Sequence, residues 1–278
     1  MVIERIINNN VISALDQEGK EIVVMGSGIG FGKKKGQLCD ESRIDKIFRM
    51  EDEAVLGRFK DLLAKLPLEY IQVSNDIISF AKKELGIPLN QNVYITLTDH
   101  ISFALERFQE NMNFTNALHN EIRRFYPAEY SVGMHALQLI EEKTGILLPE
   151  DEASAIALHL VNAELNLKVR DIWVLTEMMG RMVGQIIGYL PVLQTESLEK
   201  DGLLSDLKFM LCRALTLKPL KEEGDPVLSR YIKESCPELV KAVAEIAKLL
   251  EEEYQCRMTA EEQLYLVVSL KRIKDLYA

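Results

Sequence analysis

Two histidines lie near charged residues at helical spacing, where they could carry a phosphoryl group. Arg107 follows His100 by seven residues and His159 follows Glu152 by seven, so each pair shares one face of a helix. A neutral imidazole is a good nucleophile near pH 7, and a guanidinium can hold a phosphoryl group through two hydrogen bonds. The spacing permits phosphohistidine at His100, although a hydrogen-bonded packing role is commoner for a lone helical histidine.

A glycine-rich run combines backbone freedom, one aromatic ring and clustered positive charge. Residues 26–32 contain four glycines, Phe31 stands among them, and Lys33–Lys35 come directly after. Glycine tolerates positive φ and lets the backbone approach another molecule closely. Positive charge supplies affinity for a polyanion, and stacking of a ring on a base contributes about 1 to 3 kcal/mol. The run therefore suits contact with a nucleic acid, while an ordinary polar hairpin is the alternative interpretation.

Three phosphate-binding motifs that also contain glycines are excluded. No lysine strand, catalytic loop or metal-binding motif of a protein kinase comes after the run. The glycine spacing, and a sequence that opens no helix at Lys33, exclude a dinucleotide-binding fingerprint. Ser27 stands where a Walker A motif needs glycine. We therefore interpret the glycines as a hairpin tip or a strand edge.

The net charge of the 278 residues is −10, but it is unevenly distributed. Residues 1–36 carry five cations and four anions, a net of +1, which leaves −11 for residues 37–278. A strongly acidic chain does not coat a nucleic acid or an anionic membrane over its whole surface. A polyanionic partner should therefore meet the N-terminal part and be repelled by the rest.

Cysteine usage and hydropathy favour a cytoplasmic protein. The four cysteines show no CxxC spacing and no signal-peptide pattern opens the chain, which indicates reduced thiols and no metal site. No apolar run reaches the roughly 18 residues of a membrane span, so we predict no membrane insertion.

The first 48 residues show the alternation and turn clusters of short strands. The predicted strands are Val2–Ile7, Val11–Leu15, Glu21–Met25 and, less distinctly, Ile44–Phe48. A domain of about 50 residues is marginally stable alone. We therefore expect it to dimerise or to pack on the next part of the chain.

After an acidic joint at residues 51–53 the hydrophobic period changes from two to 3.6. The predicted helices are Leu68–Leu85, Asn92–Gln109, Asn113–Phe125, Ser131–Thr144 and Pro149–Leu165. Glycines and prolines at their ends obey the usual asymmetry of helix boundaries. These helices should form a compact bundle.

The chain from residue 171 onward repeats this bundle. Pro127, two consecutive glutamates and Glu152 recur 110 residues later, and Phe103 and Arg107 recur 106 residues later. Such agreement at fixed offsets indicates a tandem duplication. The equivalent positions are then His100 with Asp206 and His159 with Ser269. His119 and His135 have no partner that singles them out, and we interpret them as surface or packing residues.

Several motifs in this order resemble the BglG/SacY/LicT family of bacterial transcriptional antiterminators over essentially the whole chain. The matching segments are Ile6–Val11, Val23–Gly26, Gly30–Phe31, Ile95–His100, Arg124–Pro127, Leu148–Glu152 and Ile156–His159. The resemblance implies a small all-β four-stranded antiparallel sheet and, after it, two all-α helical bundles. The implied domains are a co-antiterminator RNA-binding domain at 1–55 and two phosphotransferase-system regulation domains at 56–169 and 170–278.

The resemblance also implies a function, which is not that of an enzyme and needs no cofactor. Such a protein is expected to bind, as a homodimer, an RNA hairpin in a nascent leader transcript and so prevent formation of the terminator. The implied RNA-contacting residues are Asn10, Gly26, Ser27 and Phe31, with Arg5 and Asn8 as weaker candidates. RNA is usually read where its bases are unpaired, which agrees with an exposed ring on a glycine loop.

Regulation in the family implies reversible phosphorylation of His100 and His159 by the sugar-specific permease of the phosphotransferase system. A phosphate adds about −1.5 to −2 charges, enough to disfavour the RNA-competent dimer. Two departures from the family pattern concern regulation and binding. Ser27 stands where the family commonly has a basic residue, and Lys33–Lys35 could take over the phosphate contact of that residue. Asp206 and Ser269 stand where the second regulation domain of the family has its two histidines. We predict that activation by the phosphocarrier HPr on that domain is lost and that Asp206 supplies a permanent charge.

Two other functions compete with this interpretation. A phosphocarrier that passes phosphate between histidines would leave the strand-rich N-terminal domain without a purpose. A DNA-binding activator with regulation domains would need a helix-turn-helix before residue 60, where the period of two argues against one. Binding to a leader hairpin rather than to duplex DNA separates these possibilities.

Overall fold

The computed structural model describes residues 1–50, 52–112, 115–167, 169–195, 197–215 and 226–277. These residues divide into two compact units, Met1–Asn166 and Leu167–Ala278. The first unit opens with an antiparallel sheet and continues with helices. Every secondary-structure element described in the second unit is a helix. The predicted fold class, a four-stranded sheet succeeded by helical domains, is confirmed.

The sheet is a meander of four strands in chain order. The strands are β1 (Val2–Asn8), β2 (Val11–Leu15), β3 (Glu21–Met25) and β4 (Lys46–Phe48). Asn9 and Asn10 form the turn between β1 and β2, because Asn8 pairs directly with Val11. Asparagine suits such a turn, since its short amide side chain bonds to nearby backbone.

The fourth strand is shorter than predicted because a 3-10 turn, Glu41–Arg43, comes directly before it. The N–H of Ile44 donates to the Glu41 carbonyl at 3.4 Å, which withdraws this residue from the sheet ladder. The ladder between β3 and β4 then begins at the pair Met25 and Lys46.

The two faces of the sheet are both apolar and both covered. Alternate side chains of the strands point to opposite faces. Ile12 and Val24 face one side, where Ile29 and Cys39 from the segment after β3 cover them. The opposite face packs on the neighbouring helices, and its buried cluster contains Val11, Val23, Met25, Phe48, Leu56, Phe59, Leu63 and Ile71. The small sheet therefore does pack on the helical part of the first unit.

The first helix, α1 (Glu53–Leu63), differs from the sequence prediction, in which the acidic residues at its start form only a joint. Asp52 is its N-cap, and the carboxylate accepts hydrogen bonds from the N–H groups of Ala54 and Val55. Glu53 in the first turn complements the positive end of the helix dipole. The acidic cluster therefore begins a helix, and Phe59 and Leu63 of that helix bury one face of the sheet.

The first unit continues as a bundle in which α5 packs on α2 and α6, and α3 packs on α2 and α6. Its remaining helices are α2 (Leu68–Leu85), α3 (Val93–Gln109), α4 (His119–Phe125), α5 (Pro127–Thr144) and α6 (Asp151–Leu165). Helix α5 begins at Pro127, four residues earlier than predicted, because proline is well accommodated at the first helical position.

Helix α4 is shorter than the predicted Asn113–Phe125, of which residues 113 and 114 lie outside the described residues. The side-chain oxygen of Asn116 accepts from the N–H of Leu118 at 3.0 Å, which favours a turn at this point. The helix starts only at His119.

The second unit, described by itself, repeats the helical pattern with α10 in contact with α7, α9 and α11. Its helices are α7 (Val169–Tyr189), α8 (Leu198–Leu215), α9 (Pro226–Ser235), α10 (Pro237–Tyr254) and α11 (Ala260–Leu276). Thr259 and Glu262 form a reciprocal capping box that starts α11. Among the described residues, no helix has the length and apolar character needed to cross a bilayer.

Candidate functional site

The glycine loop after β3, residues 26–32, is hydrogen-bonded to the turn between β1 and β2. The N–H of Gly26 donates to the Asn10 carbonyl at 2.9 Å, and the N–H of Gly30 donates to the Asn9 carbonyl at 3.0 Å. The side-chain oxygen of Asn10 accepts from the N–H of Gly28 at 2.9 Å. Turn and loop therefore form one continuous surface at this end of the sheet.

The geometry of the loop requires glycine at several positions, of which Gly26 and Gly28 are two. A Cβ at Gly26 would lie 1.7 Å from the Arg43 carbonyl oxygen, so no larger residue fits there. Gly28 has φ +65°, the left-handed region that favours glycine. The loop backbone is thereby fixed in shape before any partner binds.

The loop presents Phe31 to solvent, with 71% of the residue exposed. The Phe31 N–H donates to the Gly28 carbonyl at 3.1 Å, which holds the residue in a turn rather than a strand. Ser27 and Arg5 are also exposed. An exposed phenyl ring on a fixed loop gains most from stacking against a flat partner.

The two asparagines predicted to contact RNA have different freedom. Asn8 donates through its side chain to the Leu63 carbonyl at 2.9 Å and accepts from the N–H of Asn10 at 2.8 Å, so both ends of its amide are occupied. The Asn10 oxygen is occupied by Gly28, and its NH₂ group has no protein acceptor among the described residues. Asn8 thus shapes the turn, and Asn10 retains a free donor.

The first helical bundle brings all four charged and imidazole residues of the sequence prediction together. His100 and Arg107 extend from α3, and Glu152 and His159 extend from α6. Nε2 of His100 lies 3.1 Å from Oε2 of Glu152, while Arg107 Nη2 donates to Oε1 of the same carboxylate. The two imidazole ring centroids are 4.8 Å apart. The sequence showed two separate pairs, and the structure shows one cluster, which we call the histidine site.

The charges of the histidine site are set by burial and by contact. Glu152 is 3% exposed, and although burial raises the pKa of its carboxyl, His100 and then Arg107 outweigh that effect and lower it. Desolvation, assisted by the charge of His100, lowers the pKa of His159 to about 3. Nδ1 of His159 is shielded from solvent and unpartnered among the described residues. His159 is therefore a neutral imidazole at physiological pH, while Glu152 is ionised.

The other two histidines have packing contacts, as interpreted from the sequence. Nδ1 of His119 lies 2.9 Å from the Ser154 hydroxyl, and its ring packs edge-on against Tyr130. His135 packs on Phe80 with ring centroids 3.9 Å apart.

The equivalent cluster of the second unit keeps the ion pair and lacks the imidazoles. Nε of Arg213 lies 3.9 Å from Oε1 of Glu262, which is 1% exposed. Asp206 and Ser269, at the positions equivalent to the two histidines, are both half-buried. All four histidines of the chain precede residue 160, so residues 171–278 contain none. Within the described residues, no group of histidine, cysteine and carboxylate side chains is arranged to hold a metal ion.

Comparisons with known proteins agree over the whole chain. The CAT RNA binding domain family matches residues 1–56, and the PRD domain family matches residues 75–163 and 191–273. The transcription antiterminator LicT of Bacillus subtilis is 39% identical over 274 residues, which cover 98% of this chain and 99% of LicT. The chain belongs to the BglG/LicT family of transcriptional antiterminators.

Other members of the antiterminator family support the assignment. The beta-glucoside operon antiterminator of Dickeya chrysanthemi is 34% identical and covers 99% of this chain and 97% of its own length. The crystal structure of GlcT CAT-PRDI is 36% identical, with a TM-score of 0.52, and covers 59% of this chain and 97% of that one. The glycine loop therefore belongs to a CAT domain, and the histidine site belongs to the first of two PRD domains. Antiterminators of this family are regulatory RNA-binding proteins, which confirms that the chain is not an enzyme.

Sequence reasoning missed two contacts of this antiterminator. Spacing relates Glu152 only to His159, whereas in the structure it bridges His100 and Arg107. The contact of Asn8 with the Leu63 carbonyl of α1 joins the turn between β1 and β2 to the helices. The equal seven-residue spacings on α3 and α6 are a signal for the first contact, and nothing in the sequence indicates the second.

Proposed function

We propose that the protein binds an RNA hairpin in a nascent leader transcript as a homodimer, and that this binding prevents the terminator from forming. The observation that carries the proposal is the solvent-exposed Phe31 on a glycine loop bonded to the Asn9–Asn10 turn. The CAT domain assignment gives this surface a nucleic-acid partner. The remaining chain carries the large negative charge that keeps a polyanion at this end.

The RNA-contacting residues that we propose differ in how they act. Phe31 stacks on an unpaired base, and the free NH₂ group of Asn10 donates to a base edge or a phosphate. Ser27 in the glycine loop and Arg5 in β1 are exposed, and we expect both to contact the RNA backbone. Gly26 acts indirectly, because it is buried and the Arg43 carbonyl fills the space that a side chain there would need. Asn8 acts indirectly, because its side chain already holds Leu63 and Asn10.

Control of RNA binding is proposed to come from phosphorylation of the histidine site by the sugar-specific permease of the phosphotransferase system. A phosphoryl group on Nε2 of His100 would place about two negative charges within bonding distance of the Glu152 carboxylate. Like charges repel at this separation, and Arg107 would transfer its hydrogen bonds from Glu152 to the phosphate. Phosphorylation therefore separates α3 from α6.

The rearrangement of α3 can reach the RNA-binding sheet directly. Tyr94, on the same helix as His100, packs edge-on against Phe48 of β4 with ring centroids 5.4 Å apart. Phe48 also packs against Phe59 of α1 at 5.1 Å. A movement of α3 would disturb this aromatic contact and, through it, the face of the sheet that the helices cover.

His100 and His159 are both proposed as phosphorylation sites. Phosphorylation of either requires the site to open, since Nε2 of His100 and Nδ1 of His159 are both shielded by their neighbours. We also propose domain limits of 1–55, 56–169 and 170–278 and a cytoplasmic location for the protein. We further propose that the second PRD domain does not respond to HPr. The last point rests on the absence of histidine from residues 171–278.

The binding proposal is tested by gel shift of the full chain with a leader RNA hairpin and with duplex DNA of the same sequence. We expect a complex with the hairpin alone, and Phe31→Ala should weaken it by about 1 to 3 kcal/mol because a stacked base is lost. A matched control is Phe209→Ala, which removes an exposed ring from α8 outside the CAT domain. Equal binding by wild type and Phe31→Ala would reject the stacking role, and preference for DNA would favour a DNA-binding activator.

A further inference from the structure

Arg43 touches the glycine loop although it lies eleven residues beyond its last glycine, Gly32. It ends the 3-10 turn before β4. Its carbonyl oxygen occupies the space that a side chain on Gly26 would need. Its guanidinium reaches the other side of the loop, where Nη1 donates to the Gly28 carbonyl at 3.2 Å. One residue therefore contacts the loop with both its backbone and its side chain.

The Gly28 carbonyl connects Arg43 to Phe31. That oxygen accepts from the N–H of Phe31 at 3.1 Å and from Nη1 of Arg43 at 3.2 Å. Because both donors share one acceptor, the guanidinium lies close to the backbone of Phe31. A base stacked on the Phe31 ring brings its own phosphates close to this guanidinium.

The guanidinium retains donors for a ligand. Its Nε lies 3.3 Å from Oδ2 of Asp40, and one N–H of Nη1 is used by Gly28. The other donors have no protein acceptor among the described residues, and the side chain is 53% exposed. A planar guanidinium held at two of its donors presents the rest as a fixed fork, which matches the oxygens of a phosphate.

The surrounding charges favour an anion beside Arg43. The pKa of Asp40 is lowered, first by hydrogen bonds from Ser42 and further by the charges of Arg43 and Lys33, so both cations lie near this carboxylate. Lys35, in contrast, is paired with Glu4. Arg43, Lys33 and the Met1 ammonium face Asp40 and Glu41 here, which leaves a net positive charge at this edge of the loop.

We propose that Arg43 is a further RNA-binding residue, whose guanidinium holds a backbone phosphate next to the base that stacks on Phe31. The inference deepens the proposed function and rests on it. Arg43 contributes in two ways, since its contact with Gly28 also keeps the loop in the shape that presents the ring. Lysine cannot replace it fully, because a single ammonium group does not hold the carbonyl and the phosphate in a fixed fork.

The test measures hairpin binding by the full-length protein at several salt concentrations between about 0.05 and 0.2 M. We expect Arg43→Gln to bind about tenfold more weakly and to reduce the slope of log K against log[salt] by about one, as for a lost phosphate contact. Arg43→Lys should keep the wild-type slope and lose affinity only severalfold. The control Lys20→Gln removes the same charge from the β2–β3 turn, at the other end of β2, and should bind within about twofold of wild type.

Two results would overturn the role of Arg43 while leaving the proposed function intact. The first is that Arg43→Gln binds the hairpin with the same affinity and the same salt slope as the wild type. The second is weaker binding with an unchanged slope, which indicates damage to the loop rather than a lost phosphate contact. If Arg43→Gln does not fold, Arg43→Lys carries the test, and full wild-type affinity of that variant contradicts the fixed fork. A wild-type protein that binds no hairpin overturns the proposed function and this inference with it.

Discussion

The two PRD domains share an arginine–glutamate pair but differ in the two residues that stand at the histidine positions. In the first, Arg107 and Glu152 are joined by two imidazoles whose rings lie 4.8 Å apart. In the second, Arg213 and Glu262 remain within 3.9 Å, and Glu262 also caps its own helix. The ion pair is therefore common to both domains, whereas the two histidines are present only in the first.

The comparison separates what a PRD domain needs to fold from what it needs to be switched. A buried carboxylate must have partners, and both domains supply an arginine for it. Only the first adds imidazoles that can become phosphohistidine. The duplication therefore provides an internal control, in which each variant of the first domain has an equivalent in the second.

The largest expected difference between the domains is in phosphorylation. Incubation with phosphoenolpyruvate, the enzyme that phosphorylates HPr, HPr and the permease should label residues 56–169 and leave residues 171–278 unlabelled. The double variant His100→Ala/His159→Ala should remove the label, because these are the two proposed phosphorylation sites. The measurement is mass spectrometry of fragments from the labelled chain.

His135→Ala is the matched control for labelling, since His135 packs on Phe80 away from the histidine site. It should leave the label unchanged. Any label found within residues 171–278 would contradict the difference between the two domains and restore a role for HPr there.

The next difference concerns stability. Glu152→Ala leaves His100 and Arg107 without their shared partner, and loss of one member of a buried pair costs about 3 to 5 kcal/mol. Glu262→Ala should cost less, about 1 to 2 kcal/mol, because it removes mainly a helix cap and Arg213 is 36% exposed. Urea unfolding monitored by circular dichroism reports both units, and the fluorescence of Trp173 in α7, the single tryptophan, reports the second.

Each stability variant should shift only one transition. Glu152→Ala should shift the unfolding transition of the first unit, which circular dichroism reports and Trp173 fluorescence does not. Glu262→Ala should shift the transition of the second unit, which Trp173 fluorescence reports. Equal costs for the two variants would show that the histidines add nothing to the role of the shared ion pair.

The extent to which the sequence predicted these sites depended on whether the contact was local. The strands and most helix ends could be predicted from alternation, glycine and proline, and the spacing of His100 and Arg107 identified half of the histidine site. That α3 faces α6, so that Glu152 serves both residues, depends on packing that spacing alone does not determine. Arg43 was missed for the same reason, since only the folded β3–β4 connection brings it to Gly28.

The smallest expected difference is in pH dependence. The pKa of His159 is lowered from 6.5 to about 3, so below pH 6.5 the unfolded chain binds a proton that the folded chain does not. The stability of the first unit should therefore fall as the pH decreases from 6.5 toward 3, by about 1 kcal/mol per pH unit. The lowered pKa of Glu152 adds a loss in the same direction below about 4.5.

The second unit contains no histidine and should show no such loss between pH 6.5 and about 5. Urea midpoints measured across this range by circular dichroism and by Trp173 fluorescence compare the two units in one sample. His159→Gln should flatten the response of the first unit, and a response that persists in this variant would assign it to another group.

The central claim is that the glycine loop binds RNA and that the histidine site of the first PRD domain controls this binding. The most direct measurement is the affinity of the full chain for its leader hairpin before and after phosphorylation by the permease, with the double variant His100→Ala/His159→Ala measured in parallel. We predict that phosphorylation weakens binding by the wild type and leaves the double variant unaffected. Equal affinity of the phosphorylated and unphosphorylated wild type would contradict the claim.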